Sequence, residues 1–238
     1  MSNMDFAKTI QEITIYALPI IFAVSLHEAA HGFVANRFGD STARLLGRLT
    51  LNPLRHIDLF GTIIIPLLLI ISQAGIIIGY AKPVPVNHFN FKNPKQDMIW
   101  VAASGPVTNF ALAFVSGVLL RMILLIKPDL IHLAQLGQSL YASGGWLAFV
   151  LYPLFLMLRF SVSINVILGV FNLVPIPPLD GGRIIMGILP DHKAQLLSRI
   201  EPFGFLILLF LIMLDPLGLM SRYVFGVMDL LIKIFMFH

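Results

Sequence analysis

Six stretches of the chain are apolar for long enough to suggest membrane-crossing helices: residues 10–36, 59–80, 98–126, 146–173, 203–214 and 217–237. A span needs about 20 predominantly apolar residues. The last two are short or interrupted by Asp215-Pro216, and a hairpin is the alternative to two full spans. Pro66 and Gln73 fall within 59–80, so a re-entrant segment stays open there, while Pro153 and Arg159 fall within 146–173. Between the first two candidates, RLTLN at 48–52 alternates polar and apolar residues, a period-two strand signal. A surface loop with incidental alternation reads equally well. The expected fold class is an all-α polytopic membrane protein of about 5–6 transmembrane helices, with a short membrane-associated β-hairpin or strand near 45–52. No repeat, low-complexity tract or long linker divides the chain. Residues 1–238 therefore read as a single membrane-embedded domain, with a core of about 10–190 and C-terminal helices at about 200–238.

Composition strengthens the membrane reading. The 238 residues are 58% hydrophobic and 12% charged, about half the charged share of a typical soluble domain, and the mean hydropathy is +0.88. No cysteine is present, which removes disulfides and thiolate metal ligands. The pI near 9.5 does not point to nucleic acid. The basic residues sit singly in loops beside apolar runs, where topology signals and lipid phosphates explain them. Arg37, Arg44, Arg48 and Arg55 after the first helix, against Lys8 before it, put that helix's C-terminal end in the cytoplasm. Lys82, Lys92 and Lys95 make the next loop basic too, so simple alternation is not supported. The N-terminal run has the look of a signal peptide, but cleavage near Ala29-Ala30 would destroy the polar cluster described next. It is expected to be a retained helix.

That cluster is LHEAAHG at 26–32, inside a predicted helix over 10–38. On a helix His27 and His31 lie one turn apart on one face and can offer their imidazoles to one ion. Zinc suits such a pair. Glu28 is offset and is placed to take a proton from a water beside the ion. An ionisable group at helix-centre depth costs about 2.5–3.5 kcal/mol on insertion scales. The alternative, a chance cluster bonded to neighbouring helices, leaves Glu28 with no compensation for that cost.

Catalytic zinc usually takes three protein ligands and keeps one position open. His56, His88, His132, His192 and His238 lie in loops, beside a loop helix or at the terminus. Asp58, just before an apolar run, reads best as a helix N-cap. Asp180 stands in FNLVPIPPLDGGRII, where Pro175, Pro177 and Pro178 prevent regular helix and Gly181-Gly182 permit close backbone approach. Irregular backbone at membrane depth is tolerated where protein buries it or water reaches it. Asp180 thus either faces a polar cavity or caps a helix with Arg183 as partner.

HEAAH on an N-terminal membrane helix followed by NLVPIPPLDGG resembles the site-2 protease family of intramembrane zinc metalloproteases, peptidase family M50. GRLTLNPLRHID, AKPVPVN and AASGPVTN extend the likeness over most of residues 20–190, and it is nearest the compact bacterial members without PDZ or CBS domains. The resemblance implies a three-helix catalytic core and one Zn2+ per chain, held by His27, His31 and Asp180. It further implies Glu28 as catalytic base, and Asn172 and Asn109 as substrate-positioning residues. An interhelical hydrogen bond is the plainer reading of either asparagine. The implied activity is hydrolysis of peptide bonds within or near transmembrane segments, with a transmembrane protein as substrate and the lipid bilayer as surroundings. The implied location is multi-pass in a bacterial cytoplasmic membrane.

Two other functions use similar residues. A divalent-metal transporter also needs histidine and carboxylate at membrane depth, but several sites in series and inverted repeats are its usual marks. A silent membrane-helix-binding scaffold has no need of Glu28.

Overall fold

The computed structural model describes residues 6–65, 68, 82–135, 145–215, 218 and 220–236. Its main helices are α1 (Phe6–Arg37), α2 (Pro94–Ile126), α3 (Gly145–Asn172), α4 (Asp180–Ile188), α5 (Asp191–Ile200), α6 (Gly204–Leu214) and α7 (Phe225–Met236). Among the described residues, four helical stretches are long and apolar enough to cross a membrane: Ile13–Arg37, Pro94–Ile126, Val150–Asn172 and Asp191–Leu214, the last formed by α5, a tight turn and α6.

The candidates 10–36, 98–126 and 146–173 are thus met by α1, α2 and α3. Helix α7 has 12 residues and directly continues a π-helical stretch of 5, Met220–Val224; together they fall a little short of the roughly 20 residues of a full span. Asp215 organises the turn before it, accepting from the Met220 and Ser221 amides, both at 2.9 Å. Most of the candidate 59–80 lies outside the described residues. The expected strand near 45–52 is not found. Thr42–Leu45 is one helical turn, residues 46–52 are irregular, and no strand occurs among the described residues. Local bonds explain the difference: Arg48 N–H donates back to the Ala43 carbonyl at 2.8 Å, so it is spent within the turn.

Chain contacts form two compact units, Met1–Ala23 with Asn109–Phe171 and Leu214–His238, and Val24–Thr108 with Asn172–Met213. No linker separates them, because α1, α2 and α3 each contribute to both. In the first unit, Leu120, Ile123, Leu130, Tyr152 and Phe155 form one buried cluster, and Ala113, Val166 and Met228 another. A buried polar ladder joins α2 to α3 there: Ser116 with Ser161 at 2.8 Å, and Asn109 with Asn165 at 2.9 Å.

In the second unit the usual soluble pattern is inverted. Helix α1 buries Ser25, His27, Ala29, His31 and Ala35 there, while Phe33 is 61% exposed. A helix that hides its polar groups and displays its aromatics is built for an apolar solvent. Beyond α1, residues 82–87 run extended and Leu173–Leu179 is irregular. Gly181 and Gly182 sit against the backbone of Leu173, Val174, Ile176 and Pro177, and Gly204 sits against the Pro177 carbonyl. A side chain at any of the three would collide with main chain, so this glycine placement lets the irregular segment fold back and start α4 at Asp180.

Candidate metal centre

His27 and His31 project from one face of α1, and Asp180 meets them from the first turn of α4. Their candidate ligand atoms all lie within 4.8 Å of one another, and all three residues are buried. The Nε2 atoms of the two histidines are 3.1 Å apart, and Asp180 Oδ2 is 3.2 Å from His27 Nε2 and 3.4 Å from His31 Nε2. The capping alternative for Asp180 does not hold. Leu179 occupies the N-cap position of α4 with no side-chain cap bond, and no ion pair joins Asp180 to Arg183 among the described residues.

The protonation pattern is constrained from behind. His31 Nδ1 lies 2.7 Å from the Val101 carbonyl, which only accepts, so Nδ1 carries the proton. With Nδ1 so engaged, Nε2 is the nitrogen that faces His27 and Asp180 and that a metal would take. Asp180 Oδ2 is buried and has no hydrogen-bond partner. Two imidazole nitrogens and an unpartnered carboxylate oxygen gathered this closely by buried residues suit a cation between them. Two imidazoles and a carboxylate with one direction left over match the three-ligand pattern of catalytic zinc.

Helix α2 supplies the floor. A Cβ built on Gly105 would stand 2.5 Å from His27 Cε1 and 2.6 Å from His31 Cε1 and Nε2. Gly105 thus leaves room for both rings, and Val101, one turn earlier on the same helix, orients His31. Ser104 Oγ also donates to the Val101 carbonyl, at 2.6 Å. Ser104 and Gly105 fall in AASGPVTN, a stretch that carries the family likeness, but the sequence assigned neither them nor Val101 a role at the site.

Glu28 lies beside the metal-ligating face, and its Oε2 accepts the Val84 N–H at 2.8 Å. A cleft of about 930 Å3 opens here, lined by His27, Glu28, His31, Asp180, Asn172 and the 83–86 backbone, among others. The structure therefore brings Asn172 to the same cleft as the metal cluster. Asn109 is not among the cleft-lining residues. It is fully buried in the other unit and donates to Asn165 Oδ1 at 2.9 Å and to the Ala23 carbonyl at 3.4 Å. Asp58 caps its turn, accepting from the Phe60 and Gly61 amides at 3.0 and 2.8 Å, and His56 donates to the Thr50 carbonyl at 2.9 Å.

Outside the membrane segments, one carboxylate is strongly organised. Burial alone would raise the pKa of Asp40, but hydrogen bonds from Thr42, Asn90 and the Asn87 amide outweigh it and hold the carboxyl below its usual range.

The profile of peptidase family M50 matches residues 15–214. The chain belongs to that family. YwhC of Bacillus subtilis, designated a candidate zinc metalloprotease, is 36% identical over 201 residues, covering 84% of this chain and 80% of its own. Rip2 of Mycolicibacterium smegmatis, likewise designated, is 29% identical over 217 residues, covering 90% of this chain and 73% of its own. A Methanocaldococcus jannaschii protein of the same designation, MJ0611, is 35% identical over 85 residues, covering 36% of this chain and 31% of its own. No solved structure gives a significant match. The matched range of the M50 profile contains His27, Glu28, His31 and Asp180, the residues that the geometry of this family member gathers around one point.

Proposed function

We propose that this M50 peptidase is an intramembrane zinc metalloprotease that hydrolyses peptide bonds within or near transmembrane segments of its substrates. The observation that carries the reading is the convergence of His27, His31 and Asp180 on one point, with Glu28 on the wall of the same cleft. His27 Nε2, His31 Nε2 and an Asp180 oxygen would hold the ion. Zinc bound there supplies a Lewis acid that makes water a nucleophile near neutral pH. Glu28 serves as general base: the Val84 amide engages Oε2, leaving Oε1 to accept the water's proton and pass it to the leaving amine. Asn172 positions the substrate backbone from across the cleft.

The substrate must be extended locally, since a helix hides its carbonyls in its own hydrogen bonds. Residues 48–52 offer a backbone edge to such an extended segment and supply hydrogen bonds in place of those its helix gave up. Proline at 49 and 51 then impairs cleavage while sparing zinc content. In this reading the chain crosses a bacterial cytoplasmic membrane 5–6 times.

The deciding experiment pairs zinc analysis with a cleavage assay on a model membrane substrate in liposomes. Glu28→Gln keeps zinc and loses proteolysis; Asp180→Asn loses zinc. A Glu28→Gln protein that still cleaves would overturn the assignment, and Asp180→Asn with normal zinc would return Asp58 and His56 to consideration as third ligand.

A further inference from the structure

The extended segment KPVPVN at 82–87 engages the general base through the Val84 N–H, which donates to Glu28 Oε2. What holds that segment is therefore what sets the carboxylate. Two of its six residues, Pro83 and Pro85, have fixed φ and no N–H. Its first residue is clamped from both sides: Lys82 N–H donates to the His56 carbonyl at 2.9 Å, and Arg48 Nη2 donates to the Lys82 carbonyl at 2.8 Å and the Pro83 carbonyl at 3.4 Å. Its last residue is clamped by Asp40, whose Oδ2 accepts the Asn87 N–H at 2.7 Å. The other oxygen of Asp40 accepts from Thr42 N–H at 3.1 Å, Thr42 Oγ1 at 2.5 Å and Asn90 Nδ2 at 2.8 Å. Asp40 is fully buried.

Close approach to α1 is permitted by one glycine. A Cβ on Gly32 would come within 2.9 Å of Val84 Cγ1, so the glycine following His31 is what lets this strap lie against the helix at the height of Glu28.

We propose that residues 82–87 form a positioning strap for the general base, and that Asp40 and Arg48 are positioning residues acting on Glu28 through the Val84 amide. This rests on the protease reading of the site. The strap is also a wall of the cleft, since Pro83, Val84, Pro85 and Val86 line it. Orientation of the base and the shape of the substrate channel are thereby fixed by the same six residues.

Asp40→Asn is the sharpest probe. An amide nitrogen in place of one oxygen must oppose either the three donors on Oδ1 or the single Asn87 N–H on Oδ2, and the smaller loss is to release Asn87. The test uses the zinc-loaded full chain in detergent. Amide hydrogen exchange is read at Val84, Val86 and Asn87, zinc by mass spectrometry, and cleavage as kcat and KM separately. Expected for Asp40→Asn is faster exchange in the strap, zinc still bound, KM within about twofold and kcat lower by about tenfold, the range typical when an outer support of an active-site group is removed. Gly32→Ala, which pushes Val84 directly, reproduces the pattern and decides the matter if Asp40→Asn does not fold. Faster strap exchange with unchanged kcat overturns the proposal, as do unchanged exchange in both variants and loss of zinc together with activity. A wild-type protein that cleaves nothing would instead sink the protease reading, while the exchange arm stays readable: Glu28→Ala alone must quicken exchange at Val84.

Discussion

Gly105→Ala adds one methyl group at the place where α2 meets both imidazoles. The added carbon would lie 2.5 Å from His27 Cε1 and 2.6 Å from two atoms of His31, whereas carbon contacts settle near about 3.5–4.0 Å. Something must yield by about 1 Å. His31 cannot simply rotate away, because its Nδ1 is fastened to the Val101 carbonyl at 2.7 Å on the same helix. The rings therefore shift together or α2 moves off α1, and overpacking of this kind usually costs about 1–3 kcal/mol. A misplacement of about 1 Å at a reacting centre also costs on the order of a hundredfold in rate. Expected are weakened zinc retention on dialysis and cleavage reduced by about a hundredfold, alongside a measurable fall in unfolding temperature. Gly169→Ala supplies the comparison: it overpacks α3 against the Phe110 ring at 2.9 Å, in the other unit, and should lower stability without releasing zinc. If Gly105→Ala kept wild-type zinc and activity, the rings would not be seated against α2 as described.

Chelation should destabilise the wild type far more than Asp180→Asn, because only the former has an intact three-ligand set. Linkage makes the difference about 4 kcal/mol when free zinc is a thousandfold above Kd, read as a shift in thermal unfolding. Asn109→Ala removes a buried interhelical pair and should cost about 0.6–1.7 kcal/mol with cleavage nearly unchanged; a large drop in kcat at full stability would instead restore Asn109 as a substrate-positioning residue. Asp40 is depressed in the folded protein, so its stabilisation is present above the ordinary carboxylate pKa, about 3.9, and is lost as pH falls through the lower folded value. Thermal unfolding of wild type and Asp40→Asn should thus differ at neutral pH and draw together below about pH 4.

The helical frame was legible because lipid imposes it: α1, α2 and α3 coincide with long apolar runs that could be little else. The metal cluster was legible for the opposite reason, since each of its members violates that pattern. His27, Glu28 and His31 interrupt an apolar helix at fixed spacing, and Asp180 follows three prolines and precedes two glycines. RLTLN misled because alternation over five residues carries no information about whether a second strand is there to pair with. Asn109 shows the limit of a polar residue in a membrane helix as a signal: the side chain looks functional in sequence, yet Asn165 and the Ala23 carbonyl occupy its amide.

The supports of the site stayed hidden because they act through backbone atoms and through the absence of side chains. Val84 is unremarkable as a valine; its N–H matters, and only because Pro83, Pro85, Arg48 and Asp40 hold the segment where that N–H meets Glu28. Gly32 and Gly105 contribute empty space on two sides of the histidine face, one admitting the strap and one the rings. In LHEAAHG the two histidines and the glutamate announce chemistry, but the closing glycine is the residue that decides whether the glutamate can be aimed. A helix carrying HEAAH with alanine at 32 would keep every group the reaction uses. The added methyl would press on Cγ1 of Val84, the residue whose N–H engages the base, and for that reason Gly32→Ala should lower kcat while leaving zinc bound, without removing any group the reaction uses.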